Sequence, residues 1–162
     1  MKKTRTNLPD IKLIGITTRT NNANETNPSL AKIAPTVQKY FHEDLPAKIP
    51  HRTKPETTFC VYTDYESDIT GDYTYFIGEE VSSFKDVLEG FHTLSVPAQV
   101  YAKFTTEPGP MPHVIIEAWQ KIWQMTSEDF GGPRRFSADF EVYDERASDH
   151  QNVILDVYIA IK

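Results

Sequence analysis

The chain has a single cysteine, Cys60, among 162 residues. No internal disulfide can form, which fits a reducing cytoplasm. Glycine is scarce, with seven residues, and none falls into a GxGxxG, P-loop or GxSxG pattern. The common signatures of nucleotide binding and of serine hydrolases are therefore absent. No stretch approaches the roughly 18 consecutive apolar residues that span a bilayer. Met1 to Asn7 lead into Leu8-Pro9-Asp10 without the apolar segment of a signal peptide. The five histidines, His42, His51, His92, His113 and His150, have no metal-ligand spacing, and no Cys-His cluster exists. Positive charge is also short: 17 Lys and Arg stand against 23 Asp and Glu, a net charge of −6. Such a surface repels phosphate backbones. The expectation is a cytoplasmic protein without metal or cofactor, in contact with neither membrane nor nucleic acid.

Aromatic residues are abundant, with eight Tyr, nine Phe and two Trp. They suit a core, and equally a pocket for flat or cationic molecules. Residues 11–19 read as a strand, and the polar run 21–27 as a loop. Leu30, Ile33, Ala34, Val37, Tyr40 and Phe41 recur at helical spacing and predict a helix over 28–43. Pro35 should kink it or open it after one looser turn. Residues 58–66 and 73–81 read as an antiparallel pair joined by a turn with Asp68, Thr70, Gly71 and Asp72. A strand at 98–105 follows, then a helix from Pro112 to about Met125, and strands at 137–144 and 153–161.

The order β-α-β-β thus occurs twice, with Val61-Tyr62 and Val142-Tyr143 as the best local match. This predicts an α+β fold of two βαββ modules about a pseudo-twofold axis, with antiparallel sheet, helices on one side and a central ligand cleft. Residues 1–9 read as a disordered or extended tail. Module one spans about 10–81, a connector 82–97, and module two about 98–162.

Several segments in order resemble the GyrI-like small-molecule-binding family, whose members include effector-binding domains of AraC-type and MerR-type regulators. They are Tyr73-Thr74-Tyr75-Phe76-Ile77-Gly78, Val96-Pro97-Ala98-Gln99-Val100-Tyr101-Ala102-Lys103-Phe104, and Gly109-Pro110 before a helix with Trp119 and Trp123. Phe140-Glu141-Val142-Tyr143 and the terminal strand Leu155 to Ile161 complete the set. The resemblance covers residues 10–162. It implies a cavity in which aromatic side chains surround a glutamate that neutralises an organic cation, and the matching residue is Glu141. With only ten residues before the first strand, a stand-alone form without a DNA-binding segment is expected.

Strand alternation places Ala138, Phe140 and Val142 on one face, expected to meet the helices, and Asp139, Glu141 and Tyr143 on the other. Glu141 is then either a cavity carboxylate or an ordinary exposed strand residue. Tyr62 has the parity of Tyr143 in the first module. Tyr73 and Tyr75 share a face of the neighbouring strand. Trp119 and Trp123, four apart, share a helix face. Each aromatic can line the ligand or simply pack. Cys60 reads as a packing residue, Asp156 as a second cavity acid or, more simply, solvent-facing, and Arg134-Arg135 as an anion site or, more simply, two exposed arginines. Three functions stay open: a binding protein for lipophilic cationic or aromatic molecules, with Glu141, Tyr143, Trp119, Trp123, Tyr62, Tyr75 and Tyr73 as contacts; a hydrolase using Glu141 and Tyr143 (or Tyr62); and a protein partner of DNA gyrase, after the members that name the family.

Overall fold

Two glycines face each other where two strands come closest: Gly15 is the register partner of Gly78. A β-carbon on either would strike the backbone opposite, so only glycine fits this part of the sheet. The computed structural model describes residues 1–162. In chain order its elements are β1 (Lys2–Leu8), β2 (Ile11–Thr20), α1 (Asn22–Glu25), α2 (Ile33–His42), β3 (Thr58–Thr63), β4 (Tyr73–Glu80), β5 (His92–Val96), β6 (Gln99–Thr105), α3 (His113–Trp123), α4 (Ser127–Phe130), β7 (Ala138–Tyr143) and β8 (Asp156–Ile161). None of the helices is long and apolar enough to cross a membrane.

One antiparallel sheet holds all eight strands in the order β1-β6-β8-β7-β3-β4-β2-β5. The two modules meet at β7 and β3. There Phe59 pairs with Val142, Cys60 with Glu141, and Val61 with Phe140. Aligning Phe59-Cys60-Val61-Tyr62 with Phe140-Glu141-Val142-Tyr143 exchanges the Phe59–Val142 and Val61–Phe140 pairs and maps Cys60–Glu141 onto itself. The pseudo-twofold axis therefore passes between Cys60 and Glu141.

The segment read as a tail is strand β1, and the segment read as a connector contains β5. These two strands are equivalents that have changed places: β1 pairs with β6 of the second module and β5 with β2 of the first. Sequence gave little sign of β1, because an edge strand has few apolar positions to alternate. Lys2, Lys3 and Arg5 are exposed on it, as suits an edge that must not recruit another chain. Only Pro9 and Asp10 connect β1 at one edge to β2 near the other, so the sheet curls enough to bring the end of β1 beside the start of β2. The Asp10 carboxylate closes the junction by accepting from Ala98 N at 2.6 Å. Asp10→Ala should cost about 1 kcal/mol, read as a lower urea midpoint with unchanged slope.

The curl gives the sheet an inner and an outer face. Ile11, Leu13, Phe59, Val61, Phe76, Tyr101 and Phe140 form the inner core, with no helical residue. Ile14, Ile16, Cys60, Tyr73, Tyr75 and Ile77 point outward to α2 through Tyr40. Phe104, Val157 and Ile159 point outward to α3 through Trp119 and Ile122. Helix α2 starts at Ile33, so Pro35 lies in its first turn, where the missing N–H leaves no broken bond. Residues 28–32, read as helix, lie outside it.

Candidate functional site, a buried carboxylate among aromatic rings

This architecture reverses one expectation. Ala138 and Phe140 face the inner core, while Glu141 points outward, under the helices. Alternation along β7 was right, but a single strand does not say which of its faces a helix will cover.

Glu141 is 2% exposed. Its Oε2 accepts from Tyr62 Oη at 2.6 Å and from Trp119 Nε1 at 2.7 Å. Its Oε1 accepts from Tyr143 Oη at 2.7 Å. All three donors are neutral, and Glu141 takes part in none of the ion pairs of the molecule. Burial raises its carboxyl above the ordinary range, and the three hydrogen bonds pull it part of the way back. Burial, followed by the charge of Glu141, pushes the hydroxyls of Tyr62 and Tyr143 well above their usual value. Cys60, directly across the module seam, is driven up in the same order.

Tyr62 is the hub of the surrounding rings. Its centroid lies 4.9 Å from Trp119 and 5.4 Å from both Tyr73 and Tyr75, each in an edge-on arrangement. The structure thus gathers Glu141, Tyr62, Tyr73, Tyr75, Tyr143 and Trp119 around one point. Trp123 is not brought there. It ends α3 at 39% exposed, because the turn that buries Trp119 leaves the last residue of the helix over solvent. Two surface depressions, of about 370 and 300 Å³, are lined by other residues. Glu141 itself is covered by Trp119 of α3 and by the Tyr62 ring.

Two further acids on the same face are buried, and one of them, Glu79, escaped the sequence reading. Glu79 is 1% exposed and accepts from Tyr40 Oη at 2.7 Å and Thr58 Oγ1 at 2.9 Å, which fastens α2 to the sheet. Burial raises this carboxyl as well. Tyr40→Phe should remove a donor from an enclosed acceptor and cost roughly 1–2 kcal/mol, measurable by denaturant titration. Asp139 is fully buried. It accepts from Arg134 Nη2 at 2.7 Å, Tyr65 Oη at 2.6 Å and Ala160 N at 2.7 Å. Parity placed Asp139 beside Glu141, but nothing local showed that one acid would receive an arginine and the other only neutral donors. Asp156, read as solvent-facing, is 7% exposed and bonded by Arg146 and Thr105.

The family model of the integron-associated effector binding protein, Cass2, matches residues 6–161. YobU of Bacillus subtilis (strain 168), which bears the name of a transcriptional regulator, is 30% identical over 149 residues, covering 91% of this chain and 90% of YobU. Among solved structures, the integron cassette protein VCH_CASS2 from the mobile metagenome of Vibrio cholerae is 27% identical. Its TM-score is 0.78, over 99% of this chain and 95% of that one. The structure of SAV2435 bound to tetraphenylphosphonium has the same fold at 16% identity, with a TM-score of 0.79 over 100% of this chain and 94% of that one. The chain belongs to the Cass2 family of integron-associated effector-binding proteins, with the GyrI-like fold that its sequence resembles.

Proposed function

We propose that the protein binds lipophilic aromatic cations at Glu141, for sensing or sequestration. One observation carries the reading: a carboxylate buried on the module seam has three neutral donors, no cationic partner and a wall of aromatic rings. Its ionised form is poorly stabilised as it stands, and a delocalised cation would supply the missing charge while the rings supply stacking and apolar contact. Membership of an effector-binding family supports the reading. So does a protein of the same fold whose structure was solved with tetraphenylphosphonium.

Binding requires the cation to take the place of Trp119 or Tyr62 beside the carboxylate, so the indole is a natural reporter. The test is a fluorescence titration with tetraphenylphosphonium on a Trp123→Phe background, where Trp119 is the sole tryptophan. Saturable quenching is expected. An unchanged spectrum throughout the titration, with binding absent by calorimetry, would remove the cation reading and return weight to a neutral ligand or a protein partner.

A further inference from the structure

The other face of the sheet carries its own depression, of about 370 Å³, within the range of small-molecule sites. It lies under the turn that joins β1 to β2, over the same module seam. Phe140, one residue before Glu141, forms its floor with Phe59 and Tyr158. The Phe140 and Tyr158 rings stack at 4.7 Å with 20° between planes, and Phe59 lies 5.7 Å from Phe140.

The rim holds four carboxylates and one lysine. Asp144 and Asp156 are already committed, since both accept from Arg146, at 2.9 and 2.6 Å. Lys103, 3.8 Å from Asp156 and 5.6 Å from the Tyr158 ring centre, adds a second cation on that side. The opposite side is different. Glu80 Oε1 is enclosed and accepts no hydrogen bond. Its sole counter-charge is Lys54 Nζ at 3.3 Å, on a side chain 61% exposed and therefore free to swing away. Glu145 is exposed nearby and unpaired.

We propose that this inner depression is a second binding site, for a primary ammonium ion with a flat apolar body. Its ammonium group takes the place of Lys54 on Glu80, and its body lies over Phe59, Phe140 and Tyr158. The tethered Lys54 ammonium sits 3.3 Å from this oxygen without making a hydrogen bond; a free ammonium can turn one of its three donors onto it, and a charged hydrogen bond in a half-enclosed site is the strong kind. The site is separated from Glu141 by the thickness of the sheet, so it neither depends on the cation reading nor fails with it.

The probe is 2-phenylethylammonium, titrated calorimetrically into Glu141→Gln protein so that the outer carboxylate cannot contribute. One saturable site is expected, with 2-phenylethanol bound at least about tenfold more weakly. Glu80→Gln, an isosteric change at a strand end, should weaken the ammonium by roughly tenfold. Lys54→Ala should tighten it, because the competing cation is gone; a merely structural role for the ion pair would not give that sign. No saturable binding to the Glu141→Gln protein would overturn the proposal, as would binding that neither Glu80→Gln nor Lys54→Ala alters.

Discussion

Glu141→Gln is expected to lower affinity for tetraphenylphosphonium by roughly ten- to a hundredfold, the worth of one charged contact in an enclosed site, while the fold stays intact. The amide keeps the size of the acid, and the hydroxyls of Tyr62 and Tyr143 can accept as well as donate. The same variant should be more stable than wild type at neutral and alkaline pH, and the gap should close as pH falls below the ordinary carboxylate range. The sign follows from the raised carboxyl of Glu141. The folded protein holds that proton to a higher pH than the unfolded chain does. Stability is therefore lost as pH rises from the ordinary carboxylate range through the folded value, and the amide removes that loss. The groups packed against Glu141 are Tyr62, Tyr143, Trp119, Tyr75 and Cys60, none of them a base that titrates in this window. Glu79 contributes a residual slope of the same sign. Cation affinity should run the opposite way, rising about tenfold per pH unit while the proton must first leave and then levelling off. Melting curves and titrations at several pH values check both slopes. A wild-type affinity independent of pH would break the link between proton and ligand.

Arg134→Met should be the most damaging single change outside the inner core. Arg134 and Asp139 form the best-buried ion pair of the molecule, with side chains 9% and 0% exposed. Removing the cation strands a carboxylate that retains only Tyr65 and one backbone amide. Breaking such a pair costs about 3–5 kcal/mol, a large part of a domain's total stability. Replacing both partners, as Arg134→Met with Asp139→Asn, should recover much of that loss, because no unpaired charge remains. Chemical denaturation of the two variants distinguishes this from simple loss of packing, which the second substitution would not repair. The guanidinium also stacks 4.3 Å from the Phe136 ring centre, so recovery should stop short of wild type.

Glu141 and Asp139 on β7 differ in their partners. Two residues apart on one face, both are buried. One carries its own arginine and is structural. The other has only neutral donors and no counter-ion, and it is the one we propose meets a ligand.

Much of this was legible in the chain. Alternation in Phe140-Glu141-Val142-Tyr143 put the acid and the tyrosine on one face, and the match with Val61-Tyr62 pointed to the repeat. The structure adds that Phe59-Cys60 belongs to the same match, with cysteine where the other module has glutamate. What was not legible depends on register and on which face a helix covers. Strand alternation separates two faces of β7 and is silent on which one α3 will cap. Trp119 and Trp123 obey the same helical periodicity, yet one is capped by the sheet and the other lies at the helix end. Arg134 sits in a glycine-rich loop that reads as exposed, and only its return across Ile161 carries it inward to Asp139. The exchange of β1 and β5 is a long-range pairing that no local pattern announces.

The most direct test of the central claim compares tetraphenylphosphonium with its neutral relative triphenylphosphine oxide, on wild type and on Glu141→Gln, by calorimetry at one pH. If Glu141 supplies the charge, wild type prefers the cation by at least about tenfold and the variant loses most of that preference while retaining the apolar part of the binding. Equal affinity of wild type for both ligands, or a preference that survives in the variant, would contradict it.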